Sequence, residues 1–167
     1  SVAENLLVGK QRRPEFSLLG GLHLRRRQVK KYAAEQAKKF DIRMSGVDDL
    51  VSSLSGGNMQ KVVIAREFSF DSPVLVVSQP TRGVDIGAIE FIHEHIMQKR
   101  NEGCAILLIS ADLDELFRLS DRLVTLYEGR ITGSFRTEEI TREEIGYYMT
   151  GGVKDEESAA KEELRHG

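Results

Sequence analysis

Ser55 is followed by Gly56 and Gly57 at the start of a predicted helix. The serine hydroxyl is suited to cap the first turn of such a helix. The glycine amides lie at the end of the helix where the dipole favours an anion, and the missing side chains let a phosphate group approach the backbone closely. The segment therefore predicts an anion site, although Ser-Gly-Gly taken alone is more simply a helix cap and a turn.

Two short apolar runs after this segment predict strands that end in polar residues. Residues 74–77 are fully apolar and are bounded by prolines, and residues 105–110 begin with a second apolar run. Runs of this kind are typical of buried parallel strands. The first run leads into Ser78 and Gln79, and the second leads into Ala111. We expect the ends of both strands to belong to the same site as the helix start.

Helices alternate with these strands along the chain. Apolar periodicity and cap residues predict helices from Ser1 and at 24–40, 57–70, 87–102 and 113–119. Polar residues predict a loop at 10–21, and the turn at Glu128 and Gly129 predicts a hairpin formed by 122–127 and 130–135. This alternation predicts an α/β fold with a mostly parallel sheet.

The composition limits the classes of function. The chain has 167 residues, of which 40% are hydrophobic and 30% charged, which suits one globular domain. Its 24 Lys and Arg against 26 Asp and Glu give a net charge of −2, which argues against a general nucleic-acid binder. No apolar run approaches the roughly 18 residues of a membrane helix. The chain opens on Ser1 without an initiator Met, so we expect it to be a piece of a longer protein, and no secretory leader pattern opens it.

Other polar residues give weaker predictions. A basic stretch lies at residues 10–31, and its simpler interpretation is a solvated helix face; the alternative is contact with an acidic partner or lipid headgroups. His93 and His95 are two apart on a helix, so they make a poor metal pair and are predicted to lie at the surface. Asp112 suits the start of a helix, and Cys104 is predicted to be a buried, reduced thiol.

Taken in order, these motifs resemble the nucleotide-binding domains of ATP-binding cassette (ABC) transporters. Residues 54–60 are similar to the family signature, 74–79 to the Walker B strand, 81–85 to the D-loop and 110–112 to the switch region. The resemblance covers roughly residues 1–150. It is strongest for the second cassette of the double-cassette proteins that serve simple-sugar and nucleoside importers.

The resemblance implies a P-loop NTPase-like fold, a partial three-layer sandwich with a mostly parallel sheet and an α-helical subdomain. The expected divisions are a helical part at 1–53, the C-terminal part of the ATPase core at 54–150 and a disordered acidic tail at 151–167. No Walker A pattern, G-x-x-x-x-G-K-[ST], occurs in the chain.

Three positions depart from the family pattern. Ser78 stands where an aspartate that organises Mg²⁺ is expected, Gln79 where a catalytic glutamate is expected, and Ala111 where the switch histidine is expected. A general base alone contributes about 10²–10⁴ in rate. We therefore expect the chain's own site to be inert, with no catalytic residue and no metal ligand.

The resemblance also implies a site shared between two cassettes. Ser55, Gly56, Gly57 and Gln60 would contact the phosphates of ATP bound, with Mg²⁺, to a partner cassette of the same full-length chain, and Asp85 would lie at the interface. Permease subunits are the other expected partners, at the cytoplasmic face of the membrane, and nucleic acid is not a partner. We expect this chain alone to bind neither ATP nor Mg²⁺.

Two alternative functions stay open at this stage. One is a non-transport ABC ATPase module of DNA repair or translation, and the other is a purely structural or regulatory cassette. A separate expectation follows from the resemblance. The strand at 74–77 is expected to have an unpaired edge and an exposed apolar face, because the family's Walker A strand, which would lie beside it, is missing. The isolated chain is therefore expected to self-associate.

Overall fold

The computed structural model describes residues 1–18, 20 and 22–152. The tail predicted at 151–167 therefore lies, from residue 153 onwards, outside the described residues. Backbone contacts divide the chain into two compact units, Ser1–Ile109 and Ser110–Gly167. The division predicted between residues 53 and 54 remains a prediction.

Three helices pack together in the first unit: α1 (Val2–Leu7), α2 (Arg26–Lys39) and α3 (Gly56–Phe68). The predicted start of α1 is confirmed, because Ser1 and Glu4 form a reciprocal capping box. The shared core consists of apolar side chains from all three helices, among them Leu6, Ala33, Ala37, Val62 and Ala65.

A short antiparallel hairpin precedes α2. It pairs β1 (Ser17–Leu18) with β2 (His23–Leu24). The sequence predicts a loop at 10–21, and this is wrong for its last part, because strands of two residues are too short to show an alternating pattern. The polar stretch before β1 also contains Lys10, which is buried, so its interpretation as a solvated residue was wrong.

A parallel strand pair follows α3. β3 (Val74–Ser78) and β4 (Ala105–Ile109) are joined by the crossover helix α4 (Ile86–Asn101), and Val76 lies opposite Leu107. The predicted parallel pairing is confirmed. Exposure alternates along both strands, so one face is open. The interpretation of the two apolar runs as fully buried strands is therefore wrong, whereas the exposed apolar face expected for residues 74–77 is confirmed. Within the described residues β3 pairs with β4 alone, which confirms the predicted unpaired edge.

The buried face of α4 includes His93, which was predicted to be at the surface. His95 is half-buried, and its ring lies 4.1 Å from the Phe91 ring and 4.9 Å from the Phe40 ring. The surface prediction was wrong because helix periodicity places His93 one residue after the buried Ile92, on the core side. Cys104 is half-buried rather than buried, because it lies before β4 instead of within it.

The second unit contains α5 (Leu113–Leu119), β5 (Arg122–Tyr127), β6 (Arg130–Arg136) and α6 (Arg142–Met149). The predicted helix and hairpin are confirmed, whereas α6 has no predicted counterpart. Helix α6 packs on the hairpin, where Thr132 Oγ1 donates to the Tyr148 carbonyl at 2.8 Å. Short 3₁₀ turns occur at Val51–Ser53 and Thr137–Glu139. In the described part of the chain, no helix is both long enough and apolar enough to cross a membrane.

Candidate functional site

The start of α3 brings the predicted anion-binding residues together. Ser55 precedes the helix in an extended conformation, and Gly56 and Gly57 are its first two residues. The hydrogen bond from the Met59 amide reaches the Ser55 carbonyl at 2.8 Å. The amides before Met59 therefore have no hydrogen-bond acceptor within the helix, and they are donors at the positive end of its dipole.

The Ser55 hydroxyl does not cap the helix as predicted. It accepts a hydrogen bond from Asn58 Nδ2 at 2.9 Å and makes no cap bond to a backbone amide. Asn58 is held in turn, because its Oδ1 accepts from the Arg43 amide at 2.8 Å. The prediction failed because the Asn58 amide group competes for the hydroxyl. Asn58 is thus a site residue that the sequence reasoning missed, and its signal was a second polar side chain one turn into the helix.

Gly57 is required by close packing against the segment before α4. A Cβ atom there would lie 2.9 Å from Asp85 Oδ2 and 3.3 Å from Ala88 Cβ. Asp85 is itself fixed, because its Oδ1 accepts from the Ala88 amide at 2.9 Å and caps α4. Gly57 is buried, while Ser55 and Gly56 are exposed. The open part of the predicted anion site is therefore centred on Ser55 and Gly56.

Two further contacts fix the orientation of α3. Gln60 Nε2 donates to the Pro80 carbonyl at 2.8 Å, in the turn after β3. Lys61 Nζ lies 2.8 Å from Asp41 Oδ2 and 4.6 Å from the centre of the Phe91 ring. The hydrogen bond from Lys61 lowers the pKa of the Asp41 carboxyl. Lys61 was predicted only as a continuation of the helix, and its tether to Asp41 could not be inferred from the sequence.

The end of β3 carries neutral side chains. Ser78 is exposed and Gln79 is half-buried. Gln79 has a left-handed backbone, with φ of 48°, and its amide donates to the Ile109 carbonyl at 2.8 Å. A left-handed conformation costs a residue with a Cβ roughly 1 kcal/mol or more, so the surrounding backbone must hold it. Neither side chain carries the negative charge that a divalent cation prefers.

Ala111 belongs to the second unit, where it is exposed just before α5. The neighbouring Asp112 caps that helix, since its Oδ1 accepts from the Asp114 amide at 2.8 Å. The predicted role of Asp112 at a helix start is confirmed. Across the described ranges, no three His, Cys, Asp or Glu side chains are grouped so that they could hold a metal ion.

Taken together, the residues at the start of α3 can offer backbone donors and a hydroxyl to an anion. Ser55 and Gly56 present the donors at an exposed helix start. Asn58, Gln60 and Asp85 hold that start in place. The arrangement is suited to binding a phosphate.

No family model matches the chain. Curated relatives nevertheless match most of it. It is 43% identical over 152 residues to the nucleoside import ATP-binding protein NupA of Lactococcus lactis, covering 91% of this chain and 30% of that protein. It is 38% identical to the guanosine import ATP-binding protein NupO of Bacillus subtilis, covering 95% and 31%. The chain thus spans about a third of the length of these relatives.

Solved structures give the same fold. The ATP-binding cassette MJ1267 of an ABC transporter superposes with a TM-score of 0.64 at 26% identity, covering 88% of this chain and 58% of that one. A dimeric cassette, MJ0796 bound to ADP and Pi, superposes with a TM-score of 0.65 at 22% identity, covering 84% and 58%. The α/β fold expected from the sequence is confirmed by these superpositions.

Proposed function

This chain belongs to the ATP-binding cassette (ABC) ATPases, and on that premise we propose that it is part of the ATP-binding subunit of an importer for nucleosides or simple sugars. The support is the similarity of nine-tenths of the chain to ATP-binding proteins of nucleoside import. In this proposal the subunit works with permease subunits at the cytoplasmic face of the membrane.

The proposed role of the chain is to complete an ATP site on a partner cassette. A single observation carries this role: the start of α3 is exposed at Ser55 and Gly56, with its amides ahead of the helical ladder. Backbone amides at a helix start fit the γ-phosphate of ATP, since they supply donors and a favourable dipole. The Ser55 hydroxyl, held by Asn58, adds one more group for the phosphate.

The chain's own site is proposed to be inactive in hydrolysis. The end of β3 supplies a hydroxyl and a carboxamide, so it fits Mg²⁺ poorly and has no base to take a proton from water. Bound Mg²⁺ would neutralise phosphate charge during hydrolysis. The residues for that chemistry are proposed to come from the partner cassette.

The experiment measures ATP hydrolysis by the complete importer carrying Gly56→Asp. A carboxylate at the exposed helix start would face the phosphates, and such like-charge contact is expected to lower kcat/KM about 100-fold. Gly56→Ala is the matched comparison that adds bulk without charge, because within this chain its Cβ would meet only the Gly83 carbonyl at an ordinary 3.5 Å. The effect of the charge is the further loss of activity in Gly56→Asp relative to Gly56→Ala. Full activity of the Gly56→Asp importer would refute the shared site. Position 57 is less informative, because any side chain there collides with Asp85.

A second pair of variants tests the inactive site. Ser78→Ala and Gln79→Asn keep the backbone requirements, since asparagine tolerates the left-handed conformation of residue 79. We expect the complete importer to keep its hydrolysis rate within about twofold, well below the effect of losing a general base. A loss of about 100-fold or more, which is the lower end of the range for a general base, would show that this site catalyses.

A further inference from the structure

A basic surface lies where the β1–β2 hairpin meets the start of α2, and we propose that it binds the anionic headgroups of membrane lipids. We call it the basic hairpin surface. It consists of Arg12, Arg13, Leu22, Arg25, Arg26 and Arg27. All six residues are exposed.

Backbone hydrogen bonds bring the two arginine runs together. The amide of the buried Phe16 donates to the Arg13 carbonyl at 3.0 Å. The Phe16 carbonyl accepts from the Arg25 amide at 2.8 Å. Arg13 and Arg25, twelve positions apart in the sequence, are therefore both attached to the same residue. Their neighbours in the chain extend the positive charge on either side.

The five arginines of this surface form no close ion pair within the described residues. Arg26 is only a minor cause of the lowered pKa of the Glu4 carboxyl, after the hydrogen bonds from the N-terminal amino group and from the Ser1 side chain. Arg26 and Arg27 lie in the first turn of α2, which has no acidic residue and no side-chain cap. Cations at that end of a helix oppose its dipole. A chain with a net charge of −2 thus concentrates positive charge on one surface, where a bound anion would stabilise it.

The leucines of the hairpin favour a lipid surface over an acidic protein. Leu22 is 82% exposed, and Leu18 and Leu24 are exposed by 45% and 40%. Arginines around exposed apolar side chains are suited to the membrane interface, where the cations contact headgroups and the leucines enter the acyl boundary. The inference rests on the proposed function, because membrane attachment is what brings this surface near lipid.

The experiment measures binding of the chain to phosphatidylcholine vesicles with and without phosphatidylglycerol. We expect binding only to the anionic vesicles and its loss in strong salt. An arginine near an anionic surface contributes about fivefold in affinity. The combined variant Arg25→Gln, Arg26→Gln and Arg27→Gln is therefore expected to bind about 100-fold more weakly. Leu22→Ser is expected to weaken binding several-fold without changing its salt dependence.

The matched control removes three exposed cations elsewhere, through Lys38→Gln, Arg118→Gln and Arg130→Gln. It should bind anionic vesicles almost as well as the unaltered chain. Equal binding to neutral vesicles, an unaffected arginine variant or an equal loss in the control would each overturn the inference. So would an arginine variant that loses only its association with a permease protein, which would indicate an acidic protein partner.

Hydrolysis by the complete importer in neutral detergent separates this inference from the proposed function. Retained hydrolysis together with absent vesicle binding would contradict only the lipid inference. Full activity of the Gly56→Asp importer would contradict only the shared ATP site.

Discussion

Lys10 is buried against an aromatic ring in the first unit. Its side chain is 1% exposed, and Nζ lies 3.7 Å from the centre of the Phe70 ring and 3.3 Å from the Arg66 carbonyl. The ring and the C-terminal end of α3 both favour the charged form. Burial outweighs them and, with a smaller contribution from Arg13, lowers the pKa of Lys10 to about 8.

This burial makes the stability of the chain depend on pH. The pKa is about 8 in the folded state against 10.5 for an ordinary lysine, so between these values the unfolded state binds more protons. Stability therefore rises with pH through this window. We expect the free energy of unfolding to gain about 2 kcal/mol from pH 8 to pH 10, relative to Lys10→Met. Denaturant unfolding of both proteins at each pH measures the difference, and a constant difference would contradict the prediction.

Gly57 gives a second prediction at the scale of the residue. The Cβ of Gly57→Ala would lie 2.9 Å from Asp85 Oδ2, and the other oxygen of that carboxylate caps α4, so either α3 or Asp85 must shift. We expect a loss of about 1–3 kcal/mol in the free energy of unfolding. Gly146→Ala, in α6 where a Cβ meets open space, should instead be neutral or stabilising. Equal stability of the two variants would show that the Asp85 contact is not restrictive.

At the scale of the elements, the open face of the β3–β4 pair exposes apolar side chains that no other element covers among the described residues. Val76 and Leu107 lie directly opposite each other and are exposed by 61% and 56%. Paired strands with an apolar face and a free edge are a template for association. An apolar surface of this kind calls for a cover from further polypeptide or from a second copy of the chain.

We expect the isolated chain to form dimers or larger species through this face. The double variant Val76→Thr and Leu107→Thr places β-branched residues at both strand positions but removes apolar area, so it should shift the mass towards the monomer. Light scattering at several protein concentrations measures the shift. Val124→Thr, on an exposed part of β5, is the control. A monomeric unaltered chain would contradict the prediction.

Long elements with a clear period could be predicted from the sequence, whereas contacts between elements could not. The apolar runs gave β3 and β4 within one residue, and the Glu128–Gly129 turn gave the β5–β6 hairpin. The burial of these strands was overestimated because an apolar run does not reveal how many faces are covered. Lys10 was misplaced because its burial depends on residues that are distant in the sequence, such as Phe70.

The candidate site shows the same limit. The motif order pointed to Ser55, Gly56 and Gly57, but not to the packing that buries Gly57 beneath Asp85. The competition between Asn58 and the helix amides for the Ser55 hydroxyl is a matter of side-chain geometry within one turn. The residue types were enough to identify the site. Only the three-dimensional contacts show that Ser55 and Gly56 are accessible to a ligand and that Gly57 is buried.

At the scale of the whole molecule, the chain carries one side of a proposed two-sided site. It has no Walker A pattern, and its Ser78 and Gln79 are neutral. We expect calorimetric titration of the isolated chain with MgATP to show no binding up to millimolar nucleotide, a range that corresponds to a binding free energy of about −4 kcal/mol. Micromolar binding would contradict the expectation.

The close packing of Gly57 against Asp85 couples the start of α3 to the start of α4. The first turn of α3 has no room to move towards α4, because Asp85 already fills the space that a methyl group would need. The same carboxylate holds the first turn of α4 through the Ala88 amide. A displacement of the segment from Ser55 to Gly57 would thus be transmitted directly to α4, a helix of 16 residues.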